Sequence, residues 1–404
     1  MAKLLKKFKL LRILTCISER NKHIAEAPNT PVPPLDSYIQ NRLKNQLHPS
    51  VQHLVVADVI PHGADVKTFV LKPDVEKGTT YLGYPAAGQY ISIRQRVDGH
   101  SISRPYSLSS SPREAAEGRY TLTIKRVDGG LMSNFILDNW QVGTRVDTSG
   151  PLGVFTYEPL RDAKTVIGLA GGSGITPFYS MAKAIAEGAE DFRLILLYGS
   201  RTKADILFLD EFERIEKKTE GKFKLVNVLS HEEAEGCEHG FLTADLIKKY
   251  APEGEYSVFL CGPQAMYNFV DKELERLAIR RKFIRHELFG EYRYPEKNAD
   301  YPQEAVGKTF RVHVKVWDKH YDITCRADET LLNAMERGGV AAPSDCRSGV
   351  CGWCRSRLVE GEVYVPRSVD GRRSADLDYG YVHPCCTFPL SDVYIDVPNA
   401  HAED

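Results

Sequence analysis

The sequence predicts three consecutive domains: an antiparallel β-barrel, a parallel α/β sheet and a small α+β domain. Three observations support this fold class. Short β-rich runs occupy residues 51–158, apolar strands alternate with helices over 159–290, and strands surround a short helix and a cysteine-rich loop over 309–404. A length of 404 residues suits two to four domains.

The first region contains four runs with the composition of β-strands. They are LVVADVI, KTFVLK, QYISIRQ and YTLTIKRV. Turn residues separate runs rich in Val, Ile, Thr and Tyr, which is typical of an antiparallel sheet that closes into a barrel.

The second region alternates strands with helices. TVIGLA, RLILLYG and YSVFLCG have the pattern of short buried strands, while FYSMAKAIAEG and QAMYNFVDKELERLA have that of helices. This alternation indicates a parallel sheet. The polar, proline-containing segment 291–308 is expected to connect this domain to the last one.

Composition narrows the classes of function. The formal net charge is −1, so bulk binding of nucleic acid is not expected. A transmembrane helix is not expected either, because the sequence has no run of about 18 apolar residues. The nine cysteines, odd in number and partly clustered, favour a metal site in a reducing compartment over disulfides. We therefore expect a cytoplasmic protein.

Residues 1–50 precede the barrel and have a different composition. Residues 3–14 combine basic side chains with an apolar helical face, and residues 27–34 are rich in proline, as in an extended linker. Charges interrupt the apolar run that a signal peptide would need. Two interpretations remain open: a terminal helix that frays or packs, or a basic amphipathic helix through which residues 1–30 dock on a partner or an anionic membrane surface.

The cysteine loop is the strongest motif in the chain. Cys346, Cys351 and Cys354 have the spacing C-x4-C-x2-C, and Cys385 follows. This is the spacing of plant-type [2Fe–2S] ligands, in which four thiolates hold two irons. A zinc site would more often have paired C-x2-C knuckles, and the remaining alternative is a set of inert buried cysteines.

The segment Glu329 to Val397 resembles plant-type ferredoxin domains, which implies a β-grasp fold. In that family the fourth ligand lies four residues before the proline of a P-x-S-D-V segment, and Pro389 then selects Cys385. Cys386 is its neighbour. Adjacent residues on an extended strand point to opposite sides, so only one of the two is expected to face the iron.

A second motif lies in the β-rich region. Arg104, Tyr106 and Ser107 form the sequence R-x-Y-S, which resembles the signature of ferredoxin reductase-type flavoproteins. The resemblance implies that Arg104 pairs with a flavin phosphate, that Tyr106 stacks on the isoalloxazine ring, and that Ser107 hydrogen-bonds its reactive edge. Taken alone, these residues would suit an ordinary barrel strand.

About twenty residues later, the chain resembles the second flavin element of the same family. The residues concerned are Lys125, Gly129, Gly130 and Ser133. Glycines and a serine expose backbone N–H groups to a pyrophosphate, which favours FAD over FMN.

A glycine-rich turn follows the strand TVIGLA and opens a helix. It consists of Gly171, Gly172, Ser173, Gly174, Ile175, Thr176 and Pro177. Such a turn lets a pyrophosphate approach backbone N–H groups at the positive end of a helix, although a plain strand-to-helix turn would also use glycine. The turn resembles the G-G-[ST]-G motif with which the reductase family binds the nicotinamide cofactor.

Further residues resemble the rest of the family's nicotinamide site. Its second element corresponds to Cys261, Gly262, Pro263 and Met266. Cys261 is expected beside the hydride-transfer site, with a small buried core residue as the alternative. Ser200 and Arg201 are expected near the adenosine ribose, and we expect NADH to be used at least as well as NADPH. Glu287 and Phe289 lie where the family's chain returns toward the flavin.

The order flavin, nicotinamide and cluster forms one electron path. We expect an NAD(P)H-dependent oxidoreductase that passes electrons through FAD to the [2Fe–2S] cluster and on to a protein acceptor, such as an oxygenase or another reductase component. Two alternatives remain: an electron-transfer subunit without autonomous NAD(P)H oxidation, and a tether formed by the N-terminal segment.

Overall fold

A computed structural model describes residues 16–27, 33–97, 99–288 and 290–398. The chain divides into two compact units, Met1–Lys44 and Asn45–Asp404. In the first unit, residues 16–26 are helical and their side chains are exposed. Helix α1 (Ile39–Leu47) buries none of its residues. Within the described ranges, no helix is long and apolar enough to cross a membrane.

The second unit begins with a curled, six-stranded antiparallel sheet of order β4-β3-β6-β1-β2-β5. Its strands are β1 (Gln52–Pro61), β2 (Val66–Pro73), β3 (Tyr90–Val97), β4 (His100–Ser107), β5 (Tyr120–Lys125) and β6 (Arg145–Thr148). A bridge between Leu108 and Leu122 joins the two edges and closes the barrel. Helices α2 (Pro112–Ala116) and α3 (Leu131–Asn139) lie between its strands in sequence.

Alternation along the strands explains the barrel interior. In β1 the residues alternate between buried and half-buried, so Leu54 and Val56 point inward. Ile136 and Leu137 of α3 join the same core. Because one face of each strand is apolar, the sheet must curl around a common core.

The next sheet is parallel and has the order β10-β9-β8-β7-β11-β12. Its strands are β7 (Thr165–Gly171), β8 (Arg193–Ser200), β9 (Phe223–Leu229), β10 (Glu238–His239), β11 (Ser257–Cys261) and β12 (Ile284–Glu287). The helices are α4 (Thr176–Ala186), α5 (Leu209–Lys218), α6 (Ala244–Tyr250) and α7 (Gln264–Glu275). Strand order reverses between β7 and β11, which is where open α/β sheets bind ligands.

The last part is a five-stranded mixed sheet of order β14-β13-β19-β15-β17 with a two-stranded sheet beside it. The strands are β13 (Thr309–Val316), β14 (Lys319–Arg326), β15 (Ser356–Glu360), β16 (Val363–Tyr364), β17 (Tyr381–Val382), β18 (Phe388–Pro389) and β19 (Val393–Val397). Helices α8 (Leu331–Arg337) and α9 (Ser374–Asp378) complete it. Together the three sheets confirm the predicted multidomain fold.

Buried polar contacts hold the barrel against the parallel sheet. Arg285 of β12 forms an ion pair of 2.6 Å with Asp162, and both side chains are almost fully buried. The same guanidinium donates to the carbonyl of Val154 at the end of the barrel region. Ser180 of α4 donates to the carbonyl of Ser110 at 2.7 Å. These contacts join the barrel region to β12 and α4 of the parallel-sheet region.

Candidate functional site

The end of β4 carries the predicted flavin residues Tyr106 and Ser107. Strand β4 pairs with β3 so that Ser107 lies opposite Tyr90, and Tyr106 lies opposite Ile91. Ser107 and Tyr90 are buried, while Tyr106 is half-buried. Burial raises the pKa of the Tyr106 phenol, so its hydroxyl stays protonated.

Arg104 has carboxylate partners in the structure. Its two terminal nitrogens lie 3.1 Å from Glu291 and 3.0 Å from Glu336. No local sequence pattern indicates these partners, because they lie more than 180 residues away along the chain. A direct contact between Arg104 and a flavin phosphate stays a prediction.

The start of α3 has the features of a pyrophosphate site. Gly129 has a φ of +64° and open space where a side chain would lie. Gly130 caps the nine-residue helix without a side-chain hydrogen bond. The first N–H groups of α3 are thus available to an anion, and Ser133 lies within this turn.

Lys125, at the end of β5, approaches the parallel sheet. Hydrogen bonds from Thr202 lower the pKa of Asp205, and the charges of Lys125 and Arg201 lower it further. These three charged side chains therefore lie close enough to interact. Arg201 is exposed at the end of β8, and the buried Ser200 precedes it.

The glycine-rich turn packs closely against the end of β11. A Cβ atom on Gly174 would lie 2.2 Å from the carbonyl oxygen of Cys261, and one on Gly171 would lie 2.4 Å from the sulfur of Met266. Gly172 has a φ of +54° with open space beside it. Only glycine permits this approach, and it leaves a free backbone surface at the start of α4, as a dinucleotide phosphate requires.

The other residues of the turn shape the helix start. Thr176 donates its hydroxyl to the carbonyl of Ser173 at 3.0 Å. Pro177 occupies the first turn of α4, where it removes no helical hydrogen bond. Across the gap, Pro263 caps α7 in an extended conformation, and the amide of Gly262 donates to the hydroxyl of Tyr267 at 3.1 Å.

Cys261 lies opposite Glu287 in the pairing of β11 with β12. Burial, with Glu287 nearby, raises the pKa of the Cys261 thiol. Burial also raises the pKa of the Glu287 carboxyl to about 8. Both groups are therefore neutral at moderately acidic pH, which is the form that an apolar pocket tolerates. Phe289 lies outside the described residues.

Tyr90 is not among the predicted site residues, yet it interacts electrostatically with residues of two predicted sites. Burial raises the pKa of its phenol, and Cys346, Cys351 and Glu287 contribute in the same direction. It is therefore near both the first cysteines and the end of β12. Its sequence signal is its place in the segment AAGQYIS, which forms the strand that pairs with R-x-Y-S.

The four predicted ligand cysteines converge in the C-terminal domain. The sulfurs of Cys354 and Cys385 lie 3.4 Å apart. Backbone amides point at the sulfurs: Gly349 donates to Cys385 at 3.3 Å, and the amide of Cys351 donates to Cys346 at 3.4 Å. N–H groups aimed at sulfur stabilise thiolates, so this arrangement fits an iron–sulfur cluster.

Cys385 and Cys386 lie in a 3-10 turn, Pro384–Cys386, and not on the extended strand that we expected. In this turn the sulfur of Cys386 donates to the carbonyl of His383 at 3.4 Å, whereas the sulfur of Cys385 lies 3.4 Å from that of Cys354. Proline at the first position fixes the backbone in a conformation that suits a turn.

Within the described residues, no group of three or more His, Cys, Asp or Glu side chains is placed to hold a single metal ion. A [2Fe–2S] cluster needs no such group, since its four thiolates are shared between two irons. Cys351 is exposed, whereas Cys346, Cys354 and Cys385 are buried. One edge of the site thus faces solvent.

Three family models match consecutive parts of the chain. The model described as "Oxidoreductase FAD-binding domain" matches residues 53–157, "Oxidoreductase NAD-binding domain" matches 169–272, and "2Fe-2S iron-sulfur cluster binding domain" matches 314–390. Their order is that of the predicted sites, and they confirm the predicted cofactors.

Curated relatives and solved structures agree with these matches. The chain is 29% identical over 375 residues to the glycine betaine monooxygenase reductase subunit of Pseudomonas aeruginosa strain UCBPP-PA14, covering 90% of this chain and 100% of the relative. It is 27% identical to the ferredoxin reductase component of 3-ketosteroid-9-alpha-monooxygenase from Rhodococcus rhodochrous, covering 84% and 94%. The structure of phthalate dioxygenase reductase is 25% identical, with a TM-score of 0.59, covering 86% of this chain and 98% of that one. The chain is therefore an NAD(P)H-dependent oxidoreductase of the ferredoxin reductase-type flavoproteins, with a plant-type [2Fe–2S] domain at its C-terminal end.

Proposed function

We propose that this protein is the reductase component of an oxygenase system. It takes electrons from NADH and delivers them, through FAD and the cluster, to a protein acceptor. The relatives named above are reductase components of monooxygenases, and they match the chain over nearly its whole length. This supports an acceptor of the same class.

The observation that carries the proposal is the convergence of three sites within one compact unit. Besides burial, the charges of Cys346 and Glu287 raise the pKa of Tyr90, so Tyr90 is within electrostatic range of both the cluster loop and the end of β12, and Ser107 lies opposite it in the pairing of β3 with β4. When bound, FAD accepts two electrons together and releases them singly, and the cluster carries one at a time. The chain's own task is to hold the two groups close and to exclude water.

Each set of residues has a separate role in this proposal. Domain 51–158 binds FAD through Tyr106, Ser107 and the start of α3. Domain 159–290 binds the nicotinamide cofactor at the glycine-rich turn and beside Cys261, which packs as a small neutral thiol. The connector 291–308 leads to domain 309–404, whose four cysteines hold the cluster.

Electrons leave the protein at the exposed edge of the cluster loop. Val350 and Trp353 flank Cys351, and these two side chains are 59% and 57% exposed. Exposed apolar residues beside a redox ligand favour contact with another protein surface. This supports a protein acceptor over a small molecule.

The charges at the end of β8 support the use of NADH at least as well as NADPH. Arg201 is the candidate partner for the 2′-phosphate of NADPH, but its charge acts on Asp205. The negative charge of Asp205 also repels a phosphate. NADPH therefore gains little from this side chain.

Docking through residues 1–30 remains part of the proposal. The helical residues 16–26 expose all their side chains, so this segment is open to a partner or to an anionic membrane surface. Deleting residues 1–30 should leave ferricyanide reduction intact and weaken such association. Loss of flavin from the truncated protein would instead assign the segment a structural role.

The function is tested with the purified protein after anaerobic reconstitution with FAD, iron and sulfide. It should be brown-yellow, and it should pass electrons from NADH to ferricyanide and to cytochrome c, a one-electron protein acceptor. A reconstituted protein that does not oxidise NADH would favour an electron-transfer subunit without its own nicotinamide reaction. A colourless protein would refute the proposal.

A further inference from the structure

Four charged side chains from separate parts of the chain meet between the barrel and the cluster loop. Arg104 belongs to β4, Glu291 to the connector, Glu336 to α8 and Arg347 to the loop between Cys346 and Cys351. The terminal nitrogens of Arg347 lie 2.5 Å from Glu291 and 2.8 Å from Glu336. Those of Arg104 lie 3.1 Å and 3.0 Å from the same two carboxylates. We call this set the charge network.

The charge network is balanced, and two of its members are buried while Arg104 and Glu291 are half-buried. The side chain of Arg347 is 0% exposed and that of Glu336 is 8% exposed. Two positive groups alternate with two negative ones, so no charge is left without a counterion. Although burial alone would raise it, Arg347 and Arg104 lower the pKa of Glu291 to about 2. The carboxylate is therefore ionised over the working pH range.

The backbone of Arg347 shows that its position is specified by its surroundings. Its φ is +55°, in the left-handed region that non-glycine residues rarely adopt. Such a conformation persists only where surrounding contacts enforce it. Here the contacts come from Glu291, Glu336 and the side-chain carbonyl of Asn333.

Strand β4 contacts the same loop through Ser103. Its hydroxyl donates to the carbonyl of Ser344 at 2.8 Å, two residues before Cys346, and its amide donates to Glu336 at 3.4 Å. Four residues further along β4 lies Ser107. The first cluster cysteine and the flavin-facing end of β4 are thus joined through a few directed contacts.

We propose that the charge network is an interdomain lock that fixes the cluster loop against β4 and so sets the path from flavin to cluster, with Arg347 as its central positioning residue. The inference rests on the proposed function, since it assigns the geometry of a step that the function requires. Buried ion pairs are strongly directional, and breaking one leaves an unpaired charge behind. Rates that depend on orientation are sensitive to small displacements.

The test uses the full-length holoprotein with Glu336→Gln and Arg347→Met. Glu336→Gln keeps the shape of the side chain and removes its charge. Arg311→Gln is the control, because it removes an exposed arginine that pairs with Asp392 inside the same domain. Flavin content, iron content and the cluster's absorption and EPR signals are measured first, so that loss of a cofactor is separated from loss of position.

Stopped-flow mixing with NADH then follows flavin reduction and cluster reduction separately. For Glu336→Gln and Arg347→Met we expect flavin reduction and ferricyanide turnover within about twofold of wild type. Cluster reduction and cytochrome c turnover should fall at least tenfold, with the cluster signals intact. Arg311→Gln should match wild type in every rate.

The outcomes separate this inference from the proposed function. If NADH does not reduce the cluster of the wild-type protein, the proposed function fails. If it does, and both variants reduce their clusters at the wild-type rate, the lock is refuted. Should Arg347→Met lose its cluster, Glu291→Gln in the connector decides the question, since it removes an Arg347 partner outside the cluster domain. Loss of flavin reduction in parallel with cluster reduction would also refute a positioning role.

Discussion

The buried carboxyl of Glu287 should make the folding stability of the protein depend on pH. Its side chain lies beside Cys261, and burial raises its pKa from 4.5 to about 8. In the unfolded chain the group ionises near its ordinary value, so between pH 4.5 and 8 the folded state holds a proton that the unfolded state has lost. The stabilisation is complete below pH 4.5 and is lost as the pH rises toward 8.

The magnitude follows from the size of the shift. Between the two pKa values, each pH unit changes the folding equilibrium constant by at most tenfold. Over the whole range, the free energy of unfolding therefore changes by at most about 5 kcal/mol. Glu287→Gln keeps the volume and cannot ionise. We therefore expect the wild-type protein to lose several degrees in Tm relative to this variant between pH 5 and pH 8, and the difference to stay constant above that window.

The assay is thermal unfolding of the FAD-loaded protein across this pH range at one scan rate, followed by circular dichroism and flavin fluorescence. Glu304→Gln, at an exposed position, is the control and should track wild type. A Tm difference between wild type and Glu287→Gln that does not change with pH would refute the reasoning. If the Tm of wild type instead rises relative to that of Glu287→Gln as the pH rises, the pH effect has the opposite sign to the one predicted.

Three other predictions address the cofactor sites. Cys385→Ser should lose the [2Fe–2S] absorption and EPR signal, whereas Cys386→Ser should keep both. Ferricyanide reduction should survive either change. If Cys386→Ser is instead the variant that loses the cluster signals, Cys386 is the fourth ligand. Gly174→Ala should lower kcat/KM for NADH at least tenfold without loss of flavin, because its Cβ would lie 2.2 Å from the carbonyl of Cys261; wild-type kinetics would contradict the close approach. NADH should be used at least as well as NADPH, and a preference for NADPH above about 100-fold, ~2.7 kcal/mol, would overturn this.

The sequence by itself determined the fold class, the cofactors and the order of the three sites. Each of these depends on local patterns. Strand and helix periods separate a barrel from a parallel sheet, and the spacing of Cys346, Cys351 and Cys354 is fixed within one loop. The turn at Gly171 to Gly174 needs glycine because the backbone at this point approaches β11. Such features depend on residues that are neighbours along the chain.

The backbone at Cys385 forms a 3-10 turn, which the local sequence pattern did not predict. Alternation along a strand predicted the two thiols on opposite sides, but Pro384 begins a turn instead. Cys385 still approaches Cys354, since the turn directs its sulfur toward the loop. Its role as the fourth ligand stays a prediction that the serine variants test.

Only the tertiary structure decided how Arg104 and Arg347 are used. Both are arginines inside recognisable motifs, and neither motif names a carboxylate partner. Glu291 and Glu336 approach Arg104 because the connector and α8 fold back onto β4, across more than 180 residues of sequence. Charge pairs at that separation depend on how whole domains pack, and no local pattern encodes them. The same packing brings Tyr90 within electrostatic range of Cys346, Cys351 and Glu287.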